Sequence, residues 1–188
     1  MKARIVTTMV LFGCAATWCH VRSALAAEEP VKKTPTNRLS YHDGKADGKK
    51  SLGGSGEIIA FTLPAADKKI TGVRIHGSRY GAATPPNEDF DIYFLDAKSD
   101  EVVATETAKY SKFNRGPEKW VEVKFAEPVE VPQEFKVVLN FRAEKTKGVF
   151  VSFDTSTEGQ HSEMGFPGAK PKPANTGGDW MVEVLLTK

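Results

Sequence analysis

From Glu57 onward, apolar and polar residues alternate with a period of two along most of the chain. The clearest runs are EIIAFTL (Glu57 to Leu63), ITGVRIHG (Ile70 to Gly77), DFDIYFLD (Asp89 to Asp96), KWVEVKF (Lys119 to Phe125), EFKVVLNF (Glu134 to Phe141), GVFVSFD (Gly148 to Asp154) and DWMVEVLL (Asp179 to Leu186). Each is short, rich in β-branched and aromatic residues, and bounded by Gly, Pro, Asn or Asp, which is the signature of a β-strand. EVVATET (Glu101 to Thr107) is a weaker eighth run. Apolar positions at helical spacing are nowhere sustained over three turns, so the pattern predicts very little helix.

The alternation also assigns faces. Val121, Val123 and Phe125 point one way, and Trp120, Glu122 and Lys124 the other. Phe135, Val137, Leu139 and Phe141 point together into the core. Trp180, Val182, Val184 and Leu186 share a face, which makes Trp180 a core residue. Strands with one dry and one wet face belong to antiparallel sheets stacked across a core. The expectation is an all-β antiparallel β-sandwich. Loops of varied length, and Pro128 and Pro132 flanking a short extended piece, suit a jelly roll better than a regular meander.

The first residues change the picture of where this domain works. Lys2 and Arg4 precede an uncharged, mostly apolar run from Ile5 to Cys19, and Ala24-Leu25-Ala26 follows as a small-x-small cleavage pattern. That is an export leader over residues 1–26, too short an apolar run to anchor in a bilayer. Leu11-Phe12-Gly13-Cys14 offers a competing lipoprotein pattern with Cys14 as the modified residue, although the bulky Phe12 fits it poorly. The expected location is periplasmic or secreted, with no transmembrane segment in the mature chain. Residues 27–38 are polar and hold two prolines, a flexible linker. Residues 39–188 are enough for one domain with a real core, expected as a monomer. Both cysteines lie in the leader, so the mature domain has no disulfide and depends on packing. The intact chain carries 26 basic and 24 acidic side chains. Without Lys2, Arg4 and Arg22 it carries 23 against 24, which gives no electrostatic case for nucleic acid.

The segments SYHDGKADG, SGEIIAFTLP, ITGVRIHG and FDIYFLD, from Leu39 to about Asp96, resemble the opening of galactose-binding-like jelly-roll domains of exported bacterial proteins. His42 stands where that pattern usually has aspartate. The resemblance implies the fold and an expectation of binding glycans or protein partners. The motifs that carry it are structural and name no catalytic residue.

Candidate chemistry starts at YHDGKADGKKSLGGSGE, residues Tyr41 to Glu57. As an EF-hand loop it places Lys45 at the third ligand position and Gly54 at the twelfth, where carboxylates belong. As a phosphate loop it lacks the first glycine and the Ser/Thr that holds magnesium. Turn pairs at Asp43-Gly44 and Asp47-Gly48, with GGSG as a hinge, explain it better. An irregular calcium site using Asp43 and Asp47 is the remaining cofactor reading, and otherwise no cofactor or metal is expected. His42, His76 and His161 show no zinc spacing. Ser78 and Ser152 lack a nucleophile elbow. No catalytic residue is proposed by any motif.

The most site-like group is aromatic and polar. The loop after Arg74 and His76 supplies Arg79 and Tyr80, and KYSKFNRGPEKW supplies Tyr110, Asn114, Arg115 and an outward Trp120. Aromatic faces with Arg and Asn beside them hold sugars. The competing reading has Tyr80, Tyr110 and Phe113 capping the ends of the sandwich. Glu158 to Asp179 shows no strand of its own and is long for a connection. Its Met164 and Phe166 need a packing surface, so it is expected to lie across a sheet or serve as a docking surface. Together these readings predict an exported, non-catalytic module that recognises a glycan or an envelope protein through its loops. The alternative is a carboxylate-dependent glycan-processing enzyme.

Overall fold

The computed structural model describes residues 37–188. The leader, its cleavage site, Cys14 and all but the last two residues of the linker lie outside them.

In chain order the strands are β1 (Arg38–Leu39), β2 (Gly48–Lys50), β3 (Gly56–Thr62), β4 (Ile70–Gly81), β5 (Asp89–Asp96), β6 (Val102–Lys109), β7 (Lys119–Val129), β8 (Glu134–Asn140), β9 (Lys147–Asp154), β10 (Ser162–Gly165), β11 (Lys172–Pro173), β12 (Asp179–Trp180) and β13 (Val182–Leu186). Helix among the described residues is confined to two single 3-10 turns, Tyr110–Lys112 and Thr155–Thr157. One sheet runs β1-β13-β4-β9-β12, with β2 added to β9 and β7 to β4. The other runs β11-β10-β3-β8-β5-β6. Every pairing between named strands is antiparallel, so the domain is an all-β sandwich.

The core between the sheets is the one the alternation assigns. Phe90, Ile92 and Phe94 of β5 are fully buried, as are Phe135, Val137 and Leu139 of β8. Trp180, Val182, Val184 and Leu186 join the same cluster. Its aromatic end is close-packed, with the Phe90 and Phe141 rings 4.7 Å apart and Phe113 meeting Phe141 edge-on at 5.7 Å. Burying each such ring stabilises the fold by about 1.5 to 3 kcal/mol before ordering costs.

Two expectations need correction. Strand β4 continues to Gly81, four residues beyond the expected end, and Arg79 keeps the inward parity of Val73 and Ile75. The long segment after Glu158 does form strands: β10 pairs with β3, and β11 with β10. Alternation there is too short to read, and Gly165 and Pro171 interrupt it. The hairpin's strands extend the edge of the six-stranded sheet beyond β3, and the loop between them turns over the outer face, where Phe166 and Pro167 meet Tyr93 and Asn140. Ile58, Leu95 and Val138 form a small buried cluster on that face with Tyr93 against it. A side chain at Gly165 would stand 3.3 Å from Ile58 and 3.5 Å from Pro171, so the hairpin sits directly on the cluster. The Trp180 indole N–H donates to the Glu163 carbonyl at 3.1 Å and anchors the hairpin to the core.

Candidate functional site

The six residues singled out in the sequence do not form one patch. Tyr110 is fully buried against Phe90 and Phe141. Its hydroxyl has no hydrogen-bond partner, and burial pushes its ionisation far above the usual phenol range. Arg79 is 7% exposed, and its guanidinium donates to the carbonyls of Ala82 and Ala83, clamping the loop that follows. Tyr80 lies on the outer face with its ring 4.6 Å from Phe150 and its hydroxyl donating to the Glu144 carbonyl. Arg115 is exposed. Asn114 and Trp120 share a cleft of ≈ 270 Å³ with Lys112, Lys119 and Glu122.

Trp120 belongs to a network that seals the outer face of the seven-stranded sheet. The Arg74 guanidinium lies over its ring at 4.9 Å, and the His42 and His76 rings stand 5.0 and 5.1 Å away. Arg74 and Arg38 donate to the two oxygens of Glu183 at 2.5 and 3.1 Å. His42 Nε2 is 3.3 Å from the same carboxylate, without the alignment of a hydrogen bond. Burial pushes Glu183 upward, but His42, Arg74 and Arg38 outweigh it and hold the carboxyl below its ordinary value. Burial holds His76 below the usual histidine range, and its Nδ1 meets Ser152 Oγ at 2.9 Å. The charges here are answered by one another.

The stretch from Tyr41 to Lys50 joins this face through His42 and the edge of the sheet through β2. Asp43 Oδ1 accepts the Lys45 N–H, and the Asp43 N–H donates to Asp154. Asp47 Oδ2 accepts both the N–H and the hydroxyl of Thr155. One oxygen of each carboxylate thus fastens a loop; among the described residues no three acidic, His or Cys side chains gather in one cluster. The Phe153 ring packs over Gly48, where a Cβ would fall 2.3 Å from the ring's tip.

The outer face of the six-stranded sheet is built differently. On β5 the outward residues are Asp91 and Tyr93. Asp91 lies opposite Asn140 on one side and Thr107 on the other, and Tyr93 lies opposite Val138 and Thr105. One oxygen of Asp91 collects three donors: Arg142 Nη2 at 2.6 Å, Tyr93 hydroxyl at 3.1 Å and Asn140 Nδ2 at 3.4 Å. A carboxylate offers about four acceptor positions over two oxygens, so Oδ1 retains capacity for a ligand hydroxyl. Arg142 reaches back over the sheet because its backbone is left-handed, at φ 45°, a conformation braced by its N–H donating to Asn140 Oδ1 at 3.1 Å. Strain of this kind in a non-glycine residue gathers where a side chain must be aimed. Its hydrogen bond to Asp91 raises the Arg142 pKa and keeps it charged. Beside this hub, Tyr93, Asn140, Phe166 and Pro167 line a depression of ≈ 280 Å³.

Sequence reasoning passed over these residues, although a signal existed. The alternation that sets Trp120 outward also sets Asp91, Tyr93 and Asn140 outward. What it lacks is Arg142, whose left-handed turn no periodicity encodes, and Phe166, brought in from a hairpin 73 residues beyond Tyr93 in sequence.

No family model and no curated protein matches the chain. Similar solved structures include two of one protein. The clostridial cysteine protease Cwp84 after propeptide cleavage aligns with a TM-score of 0.55 and 9% identity, covering 81% of this chain and 40% of that one. The structure of the cysteine protease and lectin-like domains of Cwp84, a surface-layer-associated protein of Clostridium difficile, aligns with the same TM-score and identity over 82% and 37%. The chain spans two fifths or less of those structures, and the likeness establishes a shared β-sandwich fold.

Proposed function

We propose that this protein is an exported, non-catalytic module that binds a glycan on the outer face of its six-stranded sheet. The observation that carries the reading is the Asp91 hub: a carboxylate, an amide, a guanidinium and a phenol held in one fixed geometry beside the Phe166–Pro167 wall. Sugar rings present hydroxyls at their edges and C–H groups on their faces, and this site offers acceptors and donors for the first and flat apolar surface for the second. The similarity to a surface-associated protein with a lectin-like domain supports this reading, as do the export leader and the galactose-binding-like resemblance of the first strands. Relative to the sequence-based patch, the ligand moves from the end loops to a sheet face. Asn114 and Trp120 remain the next place to look.

A glycan array and a cell-wall pull-down with the mature protein test this directly. Retention of a defined glycan, lost in Asp91→Ala and Tyr93→Ala, is the expected result. Retention unaffected by either variant would place the ligand elsewhere, and conversion of an array glycan into product would favour the alternative, an enzyme working through carboxylates. Glu57, raised by burial to a pKa of about 8, has the ionisation of a general acid. It is 2% exposed, however, and accepts the Leu52 N–H inside the core, which suits a structural role.

A further inference from the structure

The depression at the Asp91 hub does not stand alone. A second one, of ≈ 520 Å³, is lined by Ser99, Asp100, Glu101 and Val102 on one wall and by Gly168 to Pro171 on the other. The two follow the hairpin tip in order, the first along Phe166 and Pro167, the second along the next four residues. On β5 the first takes Tyr93, and the second begins beyond the strand's end at Asp96, three residue steps on, or about 10 Å of strand. That is about the length of two sugar units.

The wall between them is held in shape. A turn closes the tip through the Ala169 N–H on the Phe166 carbonyl at 3.1 Å, with Gly168 in the left-handed region at φ 81° that its turn requires. The hairpin's base is tied to the core through Trp180. At the far end Lys136 bridges Asp100 and Glu163 at 2.8 and 3.2 Å and fixes the β5–β6 turn over the face. Val102, one of the two most exposed large apolar side chains among the described residues, lines this end. The ion pairs along the course have mixed sign, Arg142 with Asp91 and Lys136 with Asp100 and Glu163, so no strip of one charge is offered to a polyanion or a polycation.

We infer that the site takes an internal stretch of a linear, neutral polysaccharide, laid along the Phe166–Pro171 wall from the Asp91 hub to Val102. This rests on the glycan reading above and extends it from one ring to a chain. Tyr93 and the wall supply the stacking, the hub orients one unit by its hydroxyls, and the far depression holds the following units. Such a site gains affinity with each unit it covers and then stops gaining.

The test is a length series. Neutral linear oligosaccharides of one to six units, from the cello-, xylo-, chito- and β-1,3-gluco- series, are titrated against the mature protein and three variants. Affinity for one series is expected to rise at least tenfold from one unit to four and then level off. Ala169→Arg and Val102→Arg, both at exposed positions, should lower affinity for the hexamer about tenfold and leave the dimer unchanged, with unaltered melting temperatures. Tyr93→Ala should weaken every length. Equal affinity for dimer and hexamer, or far-end variants without effect on the hexamer, overturns the linear-chain inference while leaving a glycan site in place. Binding of no member of any series, or displacement of a bound glycan by an extended peptide, overturns the glycan reading itself.

Discussion

The two outer faces of this sandwich are both polar and both carry a tryptophan or tyrosine flanked by arginine, yet they differ in what their polar groups are doing. On the seven-stranded sheet, Glu183 is 4% exposed and faces Arg38, Arg74 and His42, while the loop before β2 brings His42 onto Trp120 and its Asp43 N–H onto Asp154. On the six-stranded sheet, Asp91 gathers three donors on a single oxygen at the margin of an open depression. The lesson is that an arginine beside an aromatic ring marks a binding site only where hydrogen-bonding capacity remains after the fold has been satisfied. Around Trp120 the carboxylate is taken up by Arg38 and Arg74, although both His42 ring nitrogens lack a hydrogen-bond partner, whereas on the Asp91 face one carboxylate oxygen takes all three donors.

Both faces rest on one core, and the largest expected effect lies there. Glu57 is raised from 4.5 to about 8 because burial disfavours its charged form, although the Leu52 N–H partly offsets this. The folded state therefore holds a proton that the unfolded state has lost. Its contribution to stability is fully present below pH 4.5, declines by about 1.4 kcal/mol per pH unit as pH rises toward 8, and levels off above that. The isosteric Glu57→Gln variant should lose this slope and be more stable than the wild type at pH 8, by up to about 5 kcal/mol. Urea unfolding at several pH values measures it; parallel curves for the two proteins would mean that the Glu57 carboxyl is not desolvated as the packing indicates.

Trp180→Ala comes next, with a loss of about 3 to 5 kcal/mol for a large core truncation. It also removes the indole donor that anchors the β10–β11 hairpin. Ligand affinity at the open face should therefore drop in this variant even under conditions where it is folded. Unchanged affinity in folded Trp180→Ala would show that the hairpin wall needs no such anchor.

Arg74→Ala probes the sealed face. It leaves Glu183 with Arg38 and His42 and uncovers the Trp120 ring, at a cost of about 1 to 3 kcal/mol for a partly unsatisfied buried carboxylate. The matching change on the six-stranded face, Asp91→Asn, keeps an acceptor for its three donors, and although Asp91 is only 13% exposed its partner Arg142 is 48% exposed to water, so it should cost less, about 1 kcal/mol. Denaturant titration of both variants side by side checks the contrast. Similar costs on the two faces would erase the distinction between cohesion and spare capacity.

How far the sequence carries is visible in particular residues. DFDIYFLD reads correctly because both sides of β5 obey the pleat, inward Phe90, Ile92 and Phe94 against outward Asp91 and Tyr93. Arg79 is misplaced because β4 outlasts its apolar pattern, and parity then turns a polar side chain inward. Tyr110 and Phe113 read either as part of a ligand patch or as caps on the end of the sandwich; a 3-10 turn at Tyr110–Lys112 packs both against Phe90 and Phe141, as the capping reading has it. The hub is half legible, since Asp91, Tyr93 and Asn140 follow from alternation, whereas Arg142 depends on a single backbone angle and the Phe166 wall on long-range packing of a hairpin with no period of its own.

The most direct test of the account is one titration, with the best glycan from the array added to the wild type, Asp91→Ala and Trp120→Ala, each first shown to be folded by its melting curve. The account predicts at least a tenfold loss of affinity for Asp91→Ala, about 1.4 kcal/mol, and no change for Trp120→Ala. Full affinity in Asp91→Ala together with a loss in Trp120→Ala would contradict it and return the binding site to the opposite face.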